Sequence, residues 1–395
     1  MHLKGKHIVL GLTGGVACYK AAELARALIK AGASVQVVMT EAARHFITPV
    51  TMQALTGKPV FTDQWDSRIS NNMAHIDLTR HADAILIAPC SADFMRKLVH
   101  GAADDLLSTL CLARPSTVPL LVAPAMNVEM WENPATQRNV IQLKQDGVTL
   151  CGPTTGEQAC GETGLGRMLE PEQLLEMLLA FFQPKLFQSK KVLITAGPTF
   201  EPIDPVRGIT NLSSGKMGYA LARAVHAAGA EVTLVSGPTA LPAPYGIKMV
   251  SVMTARDMYD AVMAHVAQQD IFIAVAAVAD WRVSEVSQKK IKKQNGASPE
   301  LQFEQNPDIL AAVAALPKPP YCVGFAAESE NLLEYGRTKR EKKGIPLLVG
   351  NIGPQTFGKD ENELVLFDAQ GDHALGRADK DTLAQQLIAE IARRL

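Results

Sequence analysis

A chain of 395 residues exceeds the size at which a single hydrophobic core stops growing, so two domains are expected. Its 47% hydrophobic and 20% charged residues exclude a disordered or fibrous protein. With 39 Lys plus Arg against 40 Asp plus Glu, the net charge of −1 excludes a general attraction to nucleic acid. No apolar run approaches the roughly 20 residues that span a bilayer.

Lys4, Lys6 and the apolar stretch ending at Ala17-Cys18 imitate a lipoprotein signal, but Gly11, Gly14 and Gly15 interrupt it. The stretch also runs directly into an amphipathic helix, so a cytoplasmic protein is expected. Residues 8–12 form an apolar strand, and Thr13-Gly14-Gly15 is a turn. From 17 to 31, apolar residues at 17, 21, 24, 25, 28 and 29 share one helical face. Gly32 caps that helix, and 35–39 is the next strand.

The same order recurs downstream, with a strand at 192–195, a helix at 216–228, Gly229 as its cap and a strand at 232–235. Ala31-Gly32-Ala33-Ser34-Val35 is matched by Ala228-Gly229-Ala230-Glu231-Val232. Two such openings predict two doubly wound α/β domains in tandem, each Rossmann-like. The second has an elongated loop between its first strand and helix. Residues 183–190, polar and with a proline, follow a helical run at 171–182, which sets the domains at 1–188 and 189–395. Further buried strands are expected at 84–88, 118–123 and 148–151, then at 271–276, 321–325, 347–350 and 364–367. Ligands in such sheets bind beyond the carboxyl ends of the strands, so the residues following these runs are the ones to inspect.

Cysteines at 18, 90, 111, 151, 160 and 322 form no CxxC pair and no metal-finger spacing, so free thiols are expected. In the first domain, Thr13-Gly14-Gly15 at a helix N-terminus suits a phosphate or a purely structural turn. Pro89-Cys90-Ser91-Ala92-Asp93 and Pro124-Ala125-Met126-Asn127 each follow a strand; Asn127 offers either an amide at the site mouth or a turn residue. His75 stands in Met73-Ala74-His75-Ile76-Asp77. Gln158-Ala159-Cys160-Gly161-Glu162-Thr163-Gly164-Leu165-Gly166 reads as a glycine-rich mobile flap with a thiol at its start.

Together, Gly14-Gly15, His75, Ser91-Ala92-Asp93, Pro124-Ala125-Met126-Asn127 and Ala159-Cys160-Gly161 closely resemble the flavin-dependent cysteine decarboxylases that act on phosphopantothenoylcysteine, over residues 1–182. The resemblance implies a flavoprotein domain of the cysteine-decarboxylase type, bound FMN, and loss of CO₂ from a cysteine carboxylate. Oxidation of the substrate thiol to a thioaldehyde places the carboxylate β to a C=S bond, from which it departs readily. A thiol, with an ordinary pKa of about 8.5, is protonated at neutral pH and is a suitable acid for the enethiolate that remains. The resemblance therefore implies His75 as base, Asn127 as the holder of the carboxylate and Cys160 as acid. It places FMN against Gly14, Gly15, Val16, Thr40, Ser91, Ala92, Asp93 and Ala125.

The second domain's long loop contains Asp204-Pro205-Val206-Arg207 and Asn211-Leu212-Ser213-Ser214-Gly215-Lys216-Met217-Gly218. It is not a P-loop: six residues separate Gly208 from Gly215, and Met217 stands where Ser or Thr is required. An apolar strand at 271–279 is expected to end in Asp280, which offers a carboxylate to Mg²⁺ or a ribose. Lys289-Lys290-Ile291-Lys292-Lys293 is a basic run. Lys339 and Lys343 project from one helix face, and Asn306-Pro307-Asp308-Ile309 and Gly324-Phe325-Ala326-Ala327-Glu328 read as loops at strand ends.

This set resembles the phosphopantothenate–cysteine ligases over about residues 190–395, most specifically through Arg207 and 211–218. It implies CTP as co-substrate, Mg²⁺ at Asp280, an acyl-cytidylate intermediate and amide formation with cysteine. Asn211 and Lys290 are the implied catalytic residues of this domain, and Arg207 and Asn211 its implied substrate binders, as Asn127 is for the first domain. Ala276, Asp280, Lys290, Asn306, Pro307, Asp308, Ile309, Phe325, Lys339 and Lys343 are the implied nucleotide contacts. Gly350-Asn351-Ile352 departs from the family, which carries an acidic residue after the asparagine. Over the whole chain the pair is similar to the bifunctional enzymes of bacterial coenzyme A synthesis. That similarity implies homo-oligomers: trimers of the first domain linked by dimers of the second. Two rival classes are disfavoured. A pyridine-nucleotide reductase lacks its G-x-G-x-x-G here, and a flavin-binding regulatory subunit would not need His75, Asn127 and Cys160 together.

Overall fold

The computed structural model describes residues 3–66, 68, 73–292, 300–328, 330–352 and 359–395. Lys293 of the basic run lies outside them. The contacts divide the chain into two units, Met1–Leu179 and Ala180–Leu395.

In the first unit, strands β1 (His7–Leu12), β2 (Ser34–Met39), β3 (Ala84–Cys90), β4 (Leu120–Pro124) and β5 (Thr149–Leu150) make a parallel sheet in the order β2-β1-β3-β4-β5. β3 is buried at every position, as a parallel strand covered on both faces must be. It runs two residues beyond the expected end at Ala88, through an irregularity in its register with β4 between Ile87 and Cys90. The helix Cys18–Lys30 buries Ala21, Leu24, Ala25 and Leu28, the face read from the sequence. The chain order reverses between β1 and β3, and the loops at that switch point face one another.

The glycine-rich stretch is a two-stranded antiparallel hairpin, β6 (Thr154–Glu157) with β7 (Thr163–Arg167). Gly164 and Gly166 stand where a side chain would not fit, whereas Gly161 turns the hairpin at a φ of +87° with open space beside it. A Cβ on Gly164 would stand 2.6 Å from Val128, and one on Gly166 would stand 2.4 Å from the Met126 carbonyl oxygen.

The second unit has an eight-stranded sheet built from β8 (Lys191–Ala196), β11 (Glu231–Ser236), β12 (Lys248–Ser251), β13 (Ile271–Ala274), β16 (Tyr321–Glu328), β17 (Leu347–Ile352), β18 (Glu361–Phe367) and β19 (Asp372–Asp379). Its order is β12-β11-β8-β13-β16-β17-β18-β19, parallel up to β17 and antiparallel beyond it. The parallel part is the 3-2-1-4-5-6 order of dinucleotide-binding sheets, with its switch point between β8 and β13. The long first loop folds into a short hairpin, β9 (Phe200–Pro202) with β10 (Gly208–Thr210), and β14 (Trp281–Val283) pairs with β15 (Phe303–Gln305).

Two expectations are corrected here. The strand expected to reach Ala279 stops at Ala274: the Val275 amide is shared between the Thr195 carbonyl at 3.3 Å and its hydroxyl at 3.2 Å, and the Ala276 amide turns to that hydroxyl, also at 3.2 Å. Conversely, Gly324 to Glu328 are not a loop but the second half of β16, paired with β17 as far as Ile352.

Candidate functional sites

At the first switch point, Thr13 joins the two loops. Its hydroxyl donates to the Pro89 carbonyl at 2.8 Å and accepts from the Ser91 amide at 2.9 Å. Gly14 fits because a Cβ there would lie 2.6 Å from that of Ala42. A cavity of about 600 Å³ opens beside these loops. Gly14, Gly15, Val16, Ser91, Ala92, Ala125, Asn127 and Cys160 line it, together with Met126, Met130 and Met168. Thr40 and Asp93 do not: Thr40 caps the helix Glu41–Arg44, and Asp93 pairs with Arg96. His75, on the helix Ala74–Arg80, is also outside the lining.

Asn127 proves to be both things its position allowed. Its carbonyl oxygen caps the helix Val128–Glu132 by accepting from Met130 N at 3.0 Å, which fixes the amide group. Its Nδ2 then donates to Glu162 Oε2 at 3.3 Å, and Cys160 Sγ donates to the same oxygen at 3.4 Å. The hairpin is held there by Gln158, which accepts from Val128 N, and by the Met126 amide, which donates to the Gly166 carbonyl. Cys160 is the exposed cysteine; the other five are buried.

Sequence reading missed Glu162 and Lys20. The Lys20 side chain is 4% exposed and its ammonium bonds the Met168 carbonyl at 2.9 Å and Glu170 at 2.8 Å. Burial works against the Glu170 carboxylate, but Lys20 and Arg167 hold it below its usual range.

At the second switch point a cavity of about 270 Å³ collects Ser213, Ser214 and Gly215, the start of the helix Lys216–Ala227, with Ala276, Asp280 and Phe325. Lys216, Lys339 and Lys380 supply positive charge around it. Lys339 was expected there; Lys216 and Lys380 were not singled out. Burial, and then the charge of Lys216, push the Lys380 ammonium below its usual range, while Asp360, 2.6 Å from the Lys216 ammonium, acts in the opposite direction. Asn211 stands beside the cavity, its Nδ2 donating to the Ala277 carbonyl at 2.6 Å while Oδ1 accepts from Ser213 N at 2.9 Å.

The remaining expected contacts lie outside this lining. Asn306 braces the Asp280 loop, its Nδ2 donating to the Ala279 carbonyl at 2.8 Å. Asp308 caps the helix Ile309–Ala314 and pairs with Lys343 at 2.9 Å. Burial opposes ionisation of Asp308, but the Ala311 amide and Lys343 overcome it. Pro307 and Ile309 are likewise off the lining, Lys290 is exposed, and the Arg207 guanidinium is taken by Asp204. Among the described residues no group of three His, Cys, Asp or Glu side chains is placed to hold a metal. No described helix is long and apolar enough to cross a membrane.

Fold and sites define a tandem protein, a flavodoxin-ordered unit with a thiol and an amide in its cavity, then a dinucleotide-ordered unit with a lysine-rimmed one. Comparison with known families agrees half by half. Residues 1–183 match the family described as Flavoprotein, and residues 187–395 match the DNA/pantothenate metabolism flavoprotein C-terminal domain. The coenzyme A biosynthesis bifunctional protein CoaBC of Vibrio vulnificus strain CMCP6 is 48% identical over 394 residues, covering 98% of each chain. That of Escherichia coli K12 is 48% identical over 401 residues, covering 100% of this chain and 98% of the relative. A crystal structure of the C-terminal domain of a CoaBC protein superposes with a TM-score of 0.47 and 37% identity, covering 53% of this chain and 97% of that one. The chain belongs to the family of bifunctional coenzyme A biosynthesis proteins, and is an enzyme with decarboxylase and ligase activities.

Proposed function

We propose that the second unit joins 4'-phosphopantothenate to cysteine at the expense of CTP, and that the first decarboxylates the product to 4'-phosphopantetheine with FMN. The observation that carries this reading is the contrast between the cavities, one walled by methionines and holding Asn127 and Cys160, the other ringed by lysines at a helix N-terminus.

The first cavity fits a flavin. It sits at the switch point, its rim is free of side chains at Gly14 and Gly15, and the helix Cys18–Lys30 starts just beyond. Bound there, FMN would supply the two-electron oxidation of the substrate thiol and the later return of those electrons. The fixed Asn127 amide binds the substrate carboxylate until CO₂ leaves, and Cys160 then gives its proton to the carbon left behind. His75 takes a proton in the oxidative step. Since it lies outside this lining, a second copy of the chain delivers it, which supports the homo-oligomer. Exposed Val16, Tyr19 and Met130 on the cavity rim are apolar surface for such a copy to cover.

In the second cavity the triphosphate lies among Lys216, Lys339 and Lys380, with Phe325 and Ala276 against the nucleoside. Among the residues lining this cavity Asp280 is the carboxylate that would face Mg²⁺, with the phosphates supplying further oxygen ligands, as is usual for this ion. The substrate carboxylate attacks the α-phosphate and pyrophosphate leaves. Cysteine nitrogen then attacks the acyl carbonyl, the amide forms and CMP departs. Purified protein should be yellow, release FMN on denaturation, and release pyrophosphate with CTP in preference to other nucleoside triphosphates. Colourless protein that takes up no FMN, or pyrophosphate release indifferent to the base, would overturn the corresponding half.

Two further results are expected. Gly14→Ala forces a methyl group into Ala42 and should cost about 1–3 kcal/mol, the usual range for overpacking, with FMN lost at lower denaturant. Equilibrium unfolding followed by flavin fluorescence reads both. Division of the gene near Lys185 should yield two soluble halves, the N-terminal one decarboxylating and the C-terminal one ligating, because each unit has its own core. Insolubility of both would refute independent domains.

A further inference from the structure

The segment that carries Lys290 is fastened to the second unit's first loop around one carboxylate. The Asp204 side chain is fully buried between them. Its Oδ1 accepts from the amides of Val206 at 2.8 Å and Arg207 at 2.9 Å. Its Oδ2 accepts from Arg207 Nε at 3.0 Å, Arg207 Nη2 at 2.6 Å and the Ile291 amide at 3.2 Å. Arg207 Nη2 also donates to the Ile291 carbonyl at 2.9 Å. Beside this, the Ser287 amide donates to the Ile203 carbonyl at 3.0 Å.

The bonds inside 204–207 close a turn, and any Asp-initiated turn would make them. The bonds to Ile291 are of another kind, because they reach 87 and 84 positions along the chain and take both backbone polar groups of one residue. An ionised carboxylate with five donors and a forked arginine is a rigid junction. The Arg207 fork, ahead of the backbone amides, holds the Asp204 carboxyl well below its usual range, so the junction is charged throughout the neutral range.

We infer that Asp204 and Arg207 are positioning residues for the ligase reaction, clamping the backbone at Ile291 so that Lys290 is presented to the nucleotide. The inference rests on the assignment of Lys290 to nucleotide activation. It gives Arg207 a place in the reaction without contact to substrate, since its fork is already taken.

The test uses the full-length, flavin-loaded chain with three substitutions. Asp204→Asn keeps the shape and removes the charge, Arg207→Lys keeps the charge and removes the fork, and Lys290→Gln probes the presented residue itself. Two quantities are read: trypsin cleavage after Lys289 and Lys290, located by mass spectrometry, and pyrophosphate release, resolved into kcat and the KM for CTP. Asp204→Asn and Arg207→Lys should each speed cleavage at these lysines and lower kcat by about tenfold or more, the order expected for a charge-assisted junction, with the KM for CTP changed far less. Decarboxylation of supplied phosphopantothenoylcysteine should stay at the wild-type rate and report that the chain is folded. Unchanged cleavage with either clamp variant, or faster cleavage with an undiminished kcat, overturns the clamp. Normal pyrophosphate release by Lys290→Gln, with the clamp variants still impaired, instead removes Lys290 from activation and leaves the clamp acting on another part of the segment.

Discussion

Cys160→Ala is expected to release CO₂ but to yield almost none of the saturated aminothiol, the last step falling at least about a hundredfold, as for loss of a general acid. The geometry gives the thiol no substitute. Burial pushes Cys18 up to about 11 and Cys111 and Cys151 up to about 12, and lifts Cys90 well above the usual thiol range, so the unit's other thiols are inert as well as enclosed. Mass spectrometry of the quenched reaction should find the unsaturated product, two hydrogens short. The saturated aminothiol formed at the wild-type rate would remove Cys160 from the chemistry.

The second large effect separates the ligase half-reactions. Attack on the α-phosphate builds negative charge there, and a cation about 4 Å away is worth roughly 4 kcal/mol at an effective dielectric near 20. Lys290→Gln should therefore slow formation of the acyl-cytidylate by two to three orders of magnitude, about the factor that such an energy implies. Asn211→Asp should act later. An aspartate retains the acceptor for the Ser213 amide but turns an oxygen toward the Ala277 carbonyl, where the native Nδ2 donates at 2.6 Å. The loop loses its hold on the acyl carbonyl, so pyrophosphate is still released while the amide is not formed. Trapping without cysteine distinguishes the two variants. Equal rates of cytidylate formation in both, or none in either, would refute this division of labour.

Much of this was legible in the chain itself. The duplicated strand-turn-helix opening declared two doubly wound units, because a parallel strand buried on both faces must be apolar throughout and its helix must bury one stripe. Gly14, Ser91, Ala125 and Asn127 were singled out from loops following such strands, and the fold brings them to one cavity, since every strand of a parallel sheet delivers its carboxyl end to the same edge; Cys160, read in the glycine-rich stretch, reaches that cavity from the turn of the β6–β7 hairpin. Less was legible where a side chain's role depends on a remote partner. Lys20 sits on an amphipathic helix and looks like a solvent-facing charge until Met168 and Glu170 meet its ammonium. Glu162 is an ordinary acidic residue in a turn until Asn127 and Cys160 converge on its carboxylate. Lys216 and Lys380 come from opposite ends of the second unit, and no spacing joins them.

The chain alone thus determined the number and class of domains, the order of their elements and the loops that carry chemistry, all of which follow from burial patterns local in sequence. Only the tertiary structure decided where the apolar run after β13 leaves the sheet, that Gly324 to Glu328 are strand, that His75 stands outside the cavity containing Asn127 and Cys160, and that Arg207 spends its fork on Asp204. The strand boundaries turn on hydrogen bonds between residues tens of positions apart, and the Asp204–Arg207 pair, though local, is closed by Ile291 from a distant segment. Periodicity records which face of an element is buried, and it holds no information about which distant group will meet it there.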